Sequence, residues 1–112
     1  MIIEREAIVQ PRVKVATAAP PATATPIEMG QFSGGRILVP DTLDSTTFTF
    51  WECDTADGTY YKVLSGGSEV TATRTASQRN SVEIPAACNP CKFIKIQSSG
   101  DNDEEVTVVK KT

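Results

Sequence analysis

The feature that most constrains this chain is a series of short runs rich in β-branched and aromatic residues. They are Arg36-Ile37-Leu38-Val39, Thr46 to Trp51, Thr59 to Leu64, Glu69 to Thr73, Ser81 to Ile84, Phe93 to Ile96 and Val106 to Val109. Their centres recur roughly every 10 to 13 residues, the spacing of a sandwich or barrel rather than of helices. Turn-forming residues separate them: Ser33-Gly34-Gly35, Pro40-Asp41, Ala56-Asp57-Gly58, Ser65-Gly66-Gly67, Asn89-Pro90 and Gly100-Asp101-Asn102. Within the runs the apolar residues alternate. Phe48 and Phe50 fall on one face with Thr47, Thr49 and Trp51 on the other, Ile94 and Ile96 oppose Phe93 and Lys95, and Val106 and Val108 oppose Thr107. Period two is the signature of strands, and no window has a convincing period near 3.6. The expected fold is all-β: an antiparallel β-sandwich of about seven strands, immunoglobulin-like or jelly-roll-like.

The chain divides by composition. Residues 16 to 26 are Ala, Pro and Thr only, with no charge and three prolines. Such a stretch excludes a regular helix and favours an extended, semi-stiff backbone. Before it, Ala7-Ile8-Val9-Gln10 and Val13-Lys14-Val15 carry strand-forming residues without an obvious local partner. The expected organisation is an extended N-terminal arm and linker over 1–26 and a β-sandwich domain over 27–112. The arm's candidate interface residues are Ile8, Val9, Val13, Val15, Pro20 and Pro21.

Composition narrows the function. The chain has no histidine, which removes the commonest general base and metal ligand. A net charge of −3 disfavours nucleic acid as a partner. No apolar run approaches the roughly 18 residues of a membrane span, and Met1-Ile2-Ile3-Glu4-Arg5-Glu6 lacks the basic start of a secretory signal. The expectation is a chain made and kept in a cytosol, not an enzyme, with no cofactor and no metal.

Several groups of residues could carry chemistry. Cys88-Asn89-Pro90-Cys91 is a Cys-x-x-Cys, but a redox pair would want a helix N-terminus in a βαβ unit. With Cys53 there are three thiols and no histidine, short of the four ligands of a structural zinc site. Cys88 and Cys91 therefore read as buried thiols at a strand-connecting turn, or as a disulfide across it. Asp101-Asn102-Asp103-Glu104-Glu105 and Asp54 to Gly58 read as solvated hairpin tips rather than calcium loops. Trp51, Tyr60 and Tyr61 are candidates for an interface anchor or for stacking on a sugar. As neighbours in a strand, Tyr60 and Tyr61 point to opposite faces. Arg74, Arg79, Lys92 and Lys95 read as solvated charges or rim contacts.

The order of the core motifs resembles a known family. Gly35 to Pro40, the Thr/Phe strand, Asp57-Gly58-Thr59-Tyr60-Tyr61-Lys62-Val63-Leu64, Val82-Glu83-Ile84-Pro85 and Lys92-Phe93-Ile94-Lys95-Ile96-Gln97-Ser98 are similar to the pattern of small tailed-bacteriophage virion structural proteins. The resemblance covers roughly residues 33 to 112 and leaves out the arm. It implies a β-sandwich of the head, neck or tail, located in the virion and made in the host cytoplasm. A capsid decoration or cement subunit is favoured. Its partners would be the major capsid protein, or neck and tail proteins, and it would form a homo-oligomer, with a trimer favoured. Discoidin-like and other carbohydrate-binding sandwiches share the same phrase of strands, so a glycan-binding module for host adsorption is the alternative.

Overall fold

The computed structural model describes residues 7–100 and 104–111. Residues 1–6 of the expected arm, Asp101, Asn102 and Asp103 of the acidic run, and Thr112 lie outside the described residues. The strands in chain order are β1 (Ala7–Lys14), β2 (Ile27–Glu28), β3 (Gly34–Val39), β4 (Thr47–Cys53), β5 (Tyr61–Lys62), β6 (Leu64–Ser65), β7 (Ser68–Glu69), β8 (Thr71–Thr73), β9 (Asn80–Glu83), β10 (Phe93–Ser98) and β11 (Glu105–Lys111). A 3-10 turn, Ala86–Cys88, precedes β10. The fold is all-β, as expected from the alternation.

Two antiparallel sheets enclose the core. The first has the order β1-β11-β3-β9, and the second has β2-β10-β4-β5 with β8 also paired to β4. Alternation decides what each sheet buries. Ile37, Val39, Val82, Val106 and Val108 from the first sheet meet Ile27, Phe48, Phe50, Ala72, Ile94 and Ile96 from the second, all buried. Removing each large apolar side chain from water stabilises the fold by about 1.5–3 kcal/mol before entropy is counted. Each of the seven expected runs contributes to strands, but two of them divide. The chain leaves β4's edge after Val63, makes the β6–β7 hairpin, and returns as β8. Val63 N–H donates to Phe50 O and Val70 N–H to Val63 O, which closes the hairpin's neck. Gly66 and Gly67 form its tip at φ 60 and 82, the left-handed pair that a two-residue turn of the favoured twist requires.

The expected boundary at 26/27 is corrected by the pairing. β1 lies along β11 from Ala7↔Lys111 to Lys14↔Glu105, as the edge strand of the first sheet. Val13 and Val15 are fully buried members of the core. Ala16 then crosses to the second sheet: its N–H donates to Ile96 O, and it accepts from Ser98 N–H. Thr25 N–H donates to Lys14 O, and Lys14 N–H to Thr25 Oγ1, so the two ends of the Ala/Pro/Thr loop meet. Lys95 Nζ donates to Ala22 O and Gln97 Nε2 to Thr17 O. The loop contains a cis Ala19–Pro20 bond. It runs against the outer face of the second sheet and is held by its own domain.

β1 handles its exposed edge in two ways. Pro11 and Arg12 together lie opposite Thr107, a bulge between Gln10↔Val108 and Val13↔Val106, with Arg12 at φ 55. Proline withholds a donor and the bulge twists the strand, both of which discourage a further strand from adding there.

Candidate functional site

The outer face of the first sheet follows from register. Val9 lies beside Val109, which lies beside Arg36, which lies beside Glu83. One step along the strands, the Pro11-Arg12 bulge, Thr107, Leu38 and Ser81 form the next row. Val109 is diagonal to Leu38, so the apolar side chains run on from one row to the next. On this face Val9 is 58% exposed and Leu38 41%. The second row forms the floor of a groove of about 640 Å³, walled by Pro11, Arg12, Leu38, Pro40, Arg79 and Thr107 among others. Arg12 has no ion-pair partner among the described residues. Arg79 is almost fully solvated and lies 3.7 Å from Asp41. Glu105 is the carboxylate at the rim and has Lys14 as its cross-strand neighbour. The groove is an apolar floor with cationic ends, a surface suited to contact rather than to bond-breaking chemistry.

The arm residues expected at an interface divide. Ile8 and Val9 are exposed on β1. Val13 and Val15 are fully buried in the sandwich core, Val13 facing inward opposite Val106, so their side chains are not on the surface. Pro20 and Pro21 border a smaller cleft of about 210 Å³ with Gly58, Thr59, Tyr60 and Lys95. Pro21 is buried and Pro20 exposed.

The aromatic candidates also separate. Tyr60 is buried and donates its hydroxyl to Ala56 O at 2.9 Å. Burial pushes its phenol pKa up, and the nearby Cys53 and Asp57 add to this. Lys95 Nζ lies 4.6 Å from its ring centroid. Tyr61 points the other way and is 67% exposed. Trp51 is half-buried on the outer face of the second sheet, not in the core. Its indole N–H donates to Gln97 Oε1 at 2.9 Å, and Lys62 Nζ stands 5.3 Å from its ring centroid. The β6–β7 hairpin beside it exposes Leu64 at 55%.

Cys53, Cys88 and Cys91 are free thiols, so no disulfide joins Cys88 to Cys91. Cys91 donates to the Glu52 carboxylate. Burial pushes the Cys88 thiol up to about 12, with the charge of Glu52 adding to it. Cys91 is raised further by burial, then by its hydrogen bond to Glu52. A thiol held protonated is neither a nucleophile nor a ready metal ligand. Among the described residues, no group of three or more His, Cys, Asp or Glu side chains could hold a metal ion. Among them, too, no helix is long and apolar enough to cross a membrane.

Two charged residues have roles that the sequence did not disclose. Arg74 is a half-buried clamp, not a solvated charge. It donates to Leu43 O, Ser45 O, Gln78 O and Asn80 Oδ1, fastening the loop before β4 to the loop before β9. Lys110 faces inward on β11, where its Nζ donates to Gln10 Oε1 and Glu28 O. It ties the first sheet to β2 of the second.

The molecule is an antiparallel β-sandwich with one edge strand made by its N-terminal segment. No family model, curated protein or solved structure matches the chain.

Proposed function

We propose that this chain is a non-enzymatic structural subunit of a tailed-phage particle, decorating or cementing the shell by docking on neighbouring capsid proteins. The observation that supports this best is the apolar outer face running over β1, β11 and β3, with Val9, Val109 and Leu38 contiguous across the strands. Contiguous apolar surface bordered by charge is characteristic of association sites. The resemblance of its motif order to small virion proteins suggests the kind of assembly. In this reading the N-terminal segment acts as part of the domain. It supplies Val9 to the docking face instead of reaching out to another subunit. Many copies on a symmetric shell would multiply a modest contact into stable attachment. A neck or tail position would use the same face.

The test is mass spectrometry of purified particles of the phage that encodes the chain, followed by incorporation of Val9→Asp and Leu38→Asp variants. Wild-type chain at many copies per particle, and loss of both variants from folded preparations, is expected. Absence of the chain from particles would overturn the proposal.

A glycan-binding role has a narrower basis: Tyr61 is exposed, and Trp51 lies on an outer face. Against it, Lys62 already stands over the Trp51 ring, and Gln97 already takes the indole N–H. Glycan-array binding lost in Tyr61→Ala would favour that role.

A further inference from the structure

Five large apolar side chains are exposed among the described residues, and four of them fall in two places. Leu38 lines the groove on the first sheet, and Val9 stands in the adjoining row of the same face. Tyr61 and Leu64 lie at the root of the β6–β7 hairpin, which juts from the edge of the second sheet. One place is a shallow, open depression and the other is an exposed hairpin. Resting on the assembly reading above, we infer that the groove receives the β6–β7 hairpin of a second copy of this chain.

Shape, charge and economy of the fold support this occupant. The hairpin is thin. Nothing lies within 4 Å of where a side chain would start at Gly66 or Gly67. Residues Leu64 to Glu69 are all exposed and take no part in the core, although Val63 and Val70 on either side are buried. Leu64 therefore presents an apolar side chain that its own domain does not use. At the other surface, the groove of about 640 Å³ has room for it and for the Tyr61 ring. The charges match as well. Glu69 engages Lys62 through Oε1 at 2.7 Å, which leaves its Oε2 for a further cation. Arg12, unpaired among the described residues, and the solvated Arg79 stand at the groove's ends. A guanidinium can take such a carboxylate oxygen while Lys62 keeps the other.

The symmetry follows. The donor and acceptor surfaces are different parts of the molecule, so the contact is made twice in a reciprocal two-fold dimer, or once per neighbour in a larger ring or a filament.

Sedimentation velocity on the purified full-length chain tests this. Wild type is expected to sediment as a closed oligomer. Leu64→Asp and Leu38→Asp should each sediment as folded monomers, because each loses one half of the contact. An equimolar mixture of the two variants should form a dimer, since one retains its groove and the other its hairpin. Arg12→Glu should also dissociate the oligomer, and Arg12→Glu combined with Glu69→Arg should restore it; this pair tests the groove even if Leu38→Asp fails to fold. A monomeric wild type, a Leu64→Asp variant that assembles like wild type, or a variant mixture that stays monomeric would each overturn the inference. Leu38→Asp dissociating while Leu64→Asp does not would instead mark a two-fold, groove-to-groove contact. Self-assembly is read on the isolated chain, so it can hold while virion incorporation fails, and incorporation can hold while the chain is monomeric.

Discussion

The ammonium of Lys110 lies 4.7 Å from the centroid of the Phe32 ring, inside the sandwich, with only 6% of the residue exposed. Burial lowers its pKa from 10.5, and the nearby Glu28 charge opposes this only in part. The native state thus holds the Lys110 proton less tightly than the unfolded chain does. Between the lowered native value and 10.5 the unfolded state binds more protons, so this residue makes stability rise with pH across that window. Lys110→Met should remove the rise. Denaturant melts of both proteins from pH 7 to 10.5 would check it, and parallel curves would contradict the burial argument.

The thiols work in the opposite direction. Below pH 9.0, the ordinary thiol value, Cys88 is protonated in both states, and its contribution is fully present. Above it the unfolded chain ionises, while native Cys88 holds its proton until about 12. The unfolded state then binds fewer protons, and stability falls across that interval. At pH 8, Cys88 carries about a thousandfold less thiolate than a free cysteine. A maleimide or disulfide reagent should therefore modify the half-buried Cys53 first. Cys88 and Cys91 should react only when the domain opens, at a rate that increases with denaturant. Mass-resolved labelling would show this order, and simultaneous modification of all three would refute it.

Much of the core was legible because strand alternation is local. Phe48 and Phe50, or Ile94 and Ile96, declare their face two residues apart. Tyr60 and Tyr61 declared opposite faces in the same way. The partner of β1 was not legible, because Ala7 pairs with Lys111 and nothing nearby in sequence signals it. The Ala/Pro/Thr loop was misleading for a related reason. Its composition describes its own flexibility, while its order comes from Lys95 and Gln97 far along the chain. The groove was hidden in the same way. Arg12, Leu38 and Arg79 belong to three strands or loops that only the fold makes neighbours.

Arg74 should matter far more than an average surface charge. Arg74→Ala leaves the Ser45 carbonyl without its donor, where Ser45 is itself buried, while the Leu43 carbonyl keeps the Ser77 N–H. An unsatisfied buried acceptor costs about 1–3 kcal/mol, so a loss of that order is expected. Arg74→Lys should recover less than half of it, because a single ammonium cannot reach both loops as the planar guanidinium does. Chemical denaturation of the three proteins would measure this, and an Arg74→Ala variant as stable as wild type would show the clamp to be redundant.

The N-terminal segment gives the sharpest contrast between a tail and a structural strand. If residues 1–26 were a detachable arm, their removal would leave a folded domain with a sharp thermal transition. The structure requires the reverse. Their loss would uncover Val106 and Val108, remove Val13 and Val15 from the core, and strip β11 of one neighbour. Single substitutions should register the same dependence, with Val13→Ala and Val15→Ala each costing about 2 kcal/mol through lost burial and the cavity left behind. Val9→Ala, on the exposed side of the same strand, should change stability by less than about 0.5 kcal/mol. The truncated chain is expected to be aggregation-prone or largely unfolded by circular dichroism, because β11 would become an unprotected edge. A cooperative, wild-type-like melt from the truncation would show that β1 is carried by the sandwich without supporting it.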